Sequence, residues 1–284
     1  MNSLYAIAGI SKQGLHQYNR RENERLAVEG CIIEQALAIR EDHPKMGCRT
    51  MYWLIKDNSL GRDRSEQVLL DSGFRVYYPP NYLKTTVSQR IYIYPNLIEG
   101  LTVNGINQVW QTDITYYIAD RGDVFYIIFI VDVYSRRIVG HAAHDHMRAE
   151  ANIKALNKAL KTREGQRLIG LIHHSDRGGQ YIDINYRKIM TDHGIRISMC
   201  NQAWENAYTE RINGTIKNDY LRPRKIVTLQ DLRRELNKAV YYYNREKPHR
   251  NLINRMSAVA YEQYVNILPI EKRPILKIYK HEKN

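Results

Sequence analysis

At 284 residues, with 43% hydrophobic and 26% charged side chains, the chain is long enough for two domains with a buried core, which excludes a disordered or fibrous protein. A net charge of +13 and a pI near 9.5 point to a polyanion as partner, with the excess gathered late: residues 201–284 carry 17 Lys and Arg against 9 Asp and Glu. The longest apolar run, Val124–Val131, ends at Asp132 and is too short for a bilayer; no membrane partner is expected, nor secretion from the N-terminal sequence. Cys31, Cys48 and Cys200 form no CxxC spacing and suit a reducing, cytoplasmic location.

Taken in order, residues 3–20 predict two short helices, Gly9 ending the first and Ser11 capping the second, a spacing found in helix-turn-helix units. A longer amphipathic helix is expected over 22–41. Two more, about Cys48–Asn58 and Asp63–Ser72, are joined by Leu60-Gly61, with capping-box spacing between Asp63 and Glu66. Arg62 and Arg64 at the start of the second are candidate DNA contacts. Residues 1–78 thus read as a helical, helix-turn-helix-like DNA-binding domain. The X-Pro turns and lack of periodicity over 79–106 read as a linker.

From residue 107 the pattern changes to strands. Val109–Tyr117 alternates, with Trp110, Thr112, Ile114 and Tyr116 on one face and Gln111, Asp113 and Thr115 on the other. Val124–Val131 and Ile138–Ala143 follow as hairpin-linked strands, and a helix over about 148–162 crosses to an apolar run, Leu168–Ile172, of buried-strand type. The predicted class is α/β: a mixed sheet flanked by helices, with the core at 107–222 and a basic helical extension at 223–284. Asp176 lies in the glycine-bearing turn after the apolar run, where open α/β sheets bind ligands. A helix is expected over 182–193. At helical spacing the 204–217 segment has an apolar stripe (Tyr208, Ile212, Ile216, Tyr220) opposite a polar one (Asn206, Glu210, Asn213, Lys217), so Glu210 can face Asp176 across a cleft.

Other chemistry-bearing residues are weighed against this cleft. Asp132 is expected to cap a turn or form an ion pair. His141, His144, His146 and the His173-His174 pair lack a cysteine pair to complete a zinc site, and His174 is expected to support Asp176 from behind. The tyrosines at 241–243 read as packing.

Trp110-Gln111-Thr112-Asp113-Ile114-Thr115-Tyr116, His174-Ser175-Asp176-Arg177-Gly178-Gly179-Gln180-Tyr181 and Asn206-Ala207-Tyr208-Thr209-Glu210, in this order, resemble the signature of DDE transposases with a retroviral-integrase core. The likeness is to the second-reading-frame (OrfB) type of the insertion-sequence-three family, and it extends to Pro44-x-x-Gly47-x-Arg49, Val131-Asp132-x-Tyr134-Ser135-Arg136 and Tyr243-Asn244-x-x-Lys247-Pro248-His249. It implies a ribonuclease-H-like core and metal-dependent DNA cleavage and strand transfer at the ends of an insertion sequence. Asp113, Asp176 and Glu210 would be the catalytic acids and ligands of two Mg²⁺ or Mn²⁺ ions, Asp113 shared between both. Lys217, Arg211, Asn206, Asn213 and Arg177 are candidate DNA contacts. The implied partners are DNA, meaning the inverted-repeat ends and the target, further copies of the chain, and a product of an upstream reading frame; the implied setting is the bacterial nucleoid. Three features depart from the pattern. Asp176 and Glu210 are separated by 33 residues, about two fewer than the family pattern, Lys247 stands for arginine and Ser257 for proline. Other readings of the same residues are a ribonuclease H or junction resolvase, or a DNA-binding protein whose triad is idle without its upstream partner.

Overall fold

Ser11 opens the first helix, α1 (Lys12–Asp42): its hydroxyl accepts from the Gly14 N–H at 2.9 Å, satisfying one of the unpaired donors of the first turn. The computed structural model describes residues 9, 11–56, 59–78, 94–200 and 203–278, which divide into two units, Met1–Tyr78 and Pro79–Asn284. The separate helices expected over 12–20 and 22–41 are one continuous helix. The proposed turn before it falls mostly on residues 1–8 and 10, outside the described set. α2 (Cys48–Met51) is shorter than expected, and α3 (Arg62–Asp71) follows Leu60-Gly61. The capping box at α3 does not form: Gly61 is the cap residue, and Glu66 instead accepts from Arg49 at 2.8 Å. Ile32, Ala36, Met51, Leu69 and Phe74 bury this unit's own core.

The second unit is built on five strands. β1 (Thr102–Val103) precedes β2 (Val109–Ile118), β3 (Val124–Asp132) and β4 (Ile138–His144). α4 (Ala149–Thr162) leads to β5 (Ile172–Ser175), and α5 (Ile184–Asp192) to β6 (Arg196–Met199). The sheet order is β4-β3-β2-β5-β6, antiparallel from β4 to β2 and parallel from β2 to β6. α6 (Ala207–Thr215) and α7 (Leu229–Arg245) cover one face, where Ile212, Ile216, Leu232 and Leu236 meet Ile127, Phe129 and Val131. α4 and α5 cover the other, where Ala155, Leu156 and Met190 meet Trp110, Ile128 and Ile130. This is the ribonuclease-H-like mixed sheet that the resemblance implies. α4 approaches closely because β4 offers Gly140 there: a β-carbon at that position would lie 2.2 Å from the Ala155 carbonyl oxygen.

Three local expectations change. The buried strand starts at Ile172 rather than Leu168, because Gly170 turns the chain at φ +87° and Ile169 is 71% exposed. Residues 94–106 are no spacer: Ile98 and Val103 are buried, and β1 pairs with β7 (Leu276–Lys277) from the far end of the chain. Residues 79–93 of the expected linker lie outside the described set. The stretch after 222 belongs to the same unit, α7 lying on the sheet and α8 (Ala258–Asn266) sending Glu262 into it. Ser257 caps α8, its hydroxyl accepting from the Ala260 N–H at 3.4 Å, a service proline cannot supply. No helix among the described residues is long and apolar enough to cross a membrane.

Asp132 takes the structural role expected of it. One carboxylate oxygen accepts from the N–H groups of Tyr134 and Ser135, the other from Asn107 N–H and the Arg163 guanidinium.

Candidate active site

β2 and β5 stay paired for only three residues, Val109 to Gln111 against Ile172 to His174. Beyond them the strands part, and the crevice opens at the carboxyl end of β5, where a parallel sheet places its ligands. The side chains of Gln111, Asp113 and Thr115 project towards α6 and meet it in register. Gln111 Nε2 donates to the Glu205 carbonyl at 2.9 Å, Asn213 Nδ2 to Asp113 Oδ2 at 2.6 Å, and Lys217 Nζ to Thr115 Oγ1 at 2.7 Å. Alternate residues over five positions of strand thereby meet α6 and the turns on either side of it.

The three acids arrive from three elements. Asp113 is half-buried in mid-strand; desolvation, then the negative charges of Asp176 and Glu210, push its carboxyl up to about 7. Asp176 follows β5 directly; burial raises its carboxyl, opposed by the Gly178 N–H, which donates to Oδ1 at 3.1 Å. Glu210 is exposed in the first turn of α6. Among the described residues none of the three carboxylates has an ion-pair partner. As a set their oxygens do not all lie within 4.8 Å of one another. A cleft of about 300 Å³ is lined by Asp113, Thr115, Glu210, Asn213, Lys217 and Arg222.

Of the expected DNA contacts, Lys217 lies in this cleft, its ammonium also 5.2 Å from the centre of the Tyr116 ring. Asn213 reaches the cleft but is spent on Asp113. Asn206 is not a groove residue: it is buried, its amide donating to the Thr112 carbonyl at 2.9 Å and accepting from Thr209. Arg211 is exposed outside the cleft lining, where its charge reaches Tyr243 on α7. Arg177 donates from Nε to the Cys200 carbonyl at 2.9 Å, bracing the loop after β6. In the first unit Arg62 pairs with Asp63 and Arg64 with Glu29 of α1. His174 does not support Asp176; it is fully buried with Nδ1 2.8 Å from Ser198 Oγ.

The sequence reading passed over Arg222. It is carried into the cleft by a π-helical turn, Ile216–Leu221, that continues α6; such wide turns shift the register after them, and no periodicity announces one. Gln111 was also given no role, although it shares the Asp113 face.

Family models described as integrase core domain match residues 104–203 and 193–256. The chain is 29% identical over 267 residues to an uncharacterized 31 kDa protein of insertion element IS600 from Shigella sonnei, covering 91% of this chain and 97% of that one. It is 31% identical over 158 residues to the transposase InsF for insertion sequence IS3A of Escherichia coli, covering 54% of each. Among solved structures it is similar to the catalytic core domain of the HTLV-2 integrase in complex with magnesium, at 19% identity and a TM-score of 0.45, covering 59% of this chain and 99% of that one. With the matched segments running through all three acids and the sheet order that carries them, the chain belongs to the integrase-core transposases of the insertion-sequence-three family, DDE-type polynucleotidyl transferases.

Proposed function

We propose that this transposase cuts and joins DNA at the ends of its own insertion sequence, with Asp113, Asp176 and Glu210 as the catalytic acids and ligands of two Mg²⁺ or Mn²⁺ ions. The carrying observation is the mutual proximity of three carboxylates with no ion pair among the described residues, close enough that two of them raise the proton affinity of the third. Oxygen-only donors that keep open space between them suit hard divalent ions, which retain water and take substrate phosphate oxygens. Such ions would neutralise the reacting phosphodiester and activate the attacking water or 3′-OH.

The protein's part is placement. Asn213 holds the Asp113 carboxylate by donating to Oδ2, and the Gly178 N–H holds Asp176 through Oδ1. Glu210 stays exposed and free to close when DNA enters. Lys217 and Arg222 offer charge to phosphates beside the reacting bond. No protein nucleophile is needed. Since two DNA ends must be held together for joining, the working form is a multimer on DNA, and a product of the upstream frame is proposed to share in end recognition.

The test pairs the parent with a Glu210→Gln variant on labelled DNA carrying the element's end, with Mg²⁺. The parent nicks and joins, while the variant binds DNA equally and reacts more than about 100-fold more slowly, because removing a ligand costs more than removing a group that orients one. Equal rates would overturn the assignment of Glu210. Activity restored only by adding the upstream-frame product would establish that partnership.

A further inference from the structure

Behind the acidic cleft lies a second set of donors of a different chemical kind. His174 on β5, Cys200 just after β6 and Glu205 just before α6 present a ring nitrogen, a sulfur and a carboxylate oxygen all within 4.8 Å of one another. Their exposures are 0%, 5% and 1%. His174 Nδ1 is engaged with Ser198 Oγ, which leaves Nε2, and that atom is buried with no hydrogen-bond partner. A buried ring nitrogen left without a partner is unfavourable, and a bound ion would relieve it.

The geometry points to a zinc site formed by His174 Nε2, Cys200 Sγ and Glu205. Thiolate sulfur selects against Mg²⁺ and Ca²⁺, and a mixed N, S and O set is borderline-soft chemistry. One thiolate and one carboxylate balance a divalent charge, so the loaded site is neutral, as burial demands. Donors on a tetrahedral zinc at 2.0–2.3 Å stand roughly 3.3–3.8 Å apart, so the set closes by about an ångström of side-chain rotation. A fourth position is left for water.

The supports that such a site requires are present. Ser198 orients the histidine, as partners of metal-bound imidazoles do. Cys200 is held by its N–H donating to the Ser175 carbonyl at 2.9 Å and by Arg177 donating to its own carbonyl. Glu205 is held by Gln111 at its carbonyl and by Asn96, which donates to Oε2 at 3.0 Å. The sequence hid this set because its members stand 26 and 5 residues apart on three elements and contain no cysteine pair. The ion would clamp the end of β5 to the start of α6, two residues before Asp176 and five before Glu210. The site itself is independent of the reading of those two acids.

The experiment titrates the full chain, stripped of metal, with Co²⁺ in the presence of excess Mg²⁺. Expected is one equivalent bound with the visible bands of a tetrahedral ion and a thiolate-to-cobalt charge-transfer band, both removed by Zn²⁺. The charge-transfer band is lost in Cys200→Ser, affinity falls about 10–100-fold in Ser198→Ala, and both are unchanged in Cys31→Ser and in Glu210→Gln. Cobalt bound without a thiolate band, a band that survives in Cys200→Ser, a band lost in Glu210→Gln, or no binding at all overturns the site. The parent's spectrum decides the matter even if a variant fails to fold.

Discussion

Replacing Arg163 by methionine isolates the energetics of the fold's buried charges. The Arg163 guanidinium donates to both Asp132 and Glu262; it is 1% exposed and its partners 0% and 5%. Arg137 reaches Glu262 at 2.5 Å from a more open side. Methionine keeps the apolar stem but leaves Asp132 without a cation and Glu262 with one. Stranding a buried carboxylate costs about 3–5 kcal/mol, on the order of 10 °C in melting temperature for a chain of this size. The pH dependence gives a second handle. In the parent, burial pushes the Glu262 carboxyl up, but the hydrogen bond and charge of Arg163, with Arg137, outweigh it and hold the group below its ordinary value. Its stabilisation is therefore present above the unfolded pKa and is lost as pH falls through the folded one. Asp132 is held above its ordinary value by burial, against the pull of Arg163. Without Arg163 only the backbone N–H groups still oppose that rise, so it grows, and protonation then favours the folded state. The deficit of Arg163→Met is thus largest at pH 7 and shrinks towards pH 5. Urea unfolding followed by circular dichroism at both values measures it. A deficit under about 1 kcal/mol at pH 7, or one that grows in acid, would refute the reasoning.

Gly140→Ala forces α4 off the sheet, since its β-carbon meets the Ala155 backbone; a loss of about 1–3 kcal/mol or more is expected in the same unfolding assay, with the midpoint shifted and the slope kept. Asn206→Ala leaves the Thr112 carbonyl unsatisfied in a buried place, so it lowers stability by about 1–3 kcal/mol while DNA affinity, read by anisotropy, stays unchanged. Lys217→Ala has the reverse profile: little loss of stability, weaker binding to any sequence, and a salt slope reduced by about one.

That Asp113, Asp176 and Glu210 lie near one another was legible because each stands at a simple sequence signal. The first sits at an alternation position, the second ends an apolar run, and the third lies on a polar helical stripe. Asn206 shares that stripe on paper, but it stands in the 3₁₀ turn before α6, where the spacing of three per turn swings it into the sheet. The strand at Ile172 was misplaced because glycine's freedom at Gly170 outweighs the apolar character of the residues before it. Glu262 stands 99 residues from Arg163, and no local pattern links a helix near the end of the chain to a turn between strands. What the sequence hid is what tertiary contact creates.

The parting of β2 from β5 also bears on how the chain is made. Past Gln111, β2 has no strand on that side, and two of its carbonyls are capped by side chains instead: Thr112 by Asn206 and Tyr116 by Lys217. A strand edge left open is a template for pairing with other chains, and here the caps are encoded 94 and 101 residues later. At ordinary synthesis speeds the stretch from the end of β4 to these two caps takes about 3–15 s, an interval in which the β2–β3–β4 meander is complete but uncapped. Nascent chains crowded on one messenger would meet through that edge, so slow translation between β4 and α6 should lower soluble yield without touching the folded state.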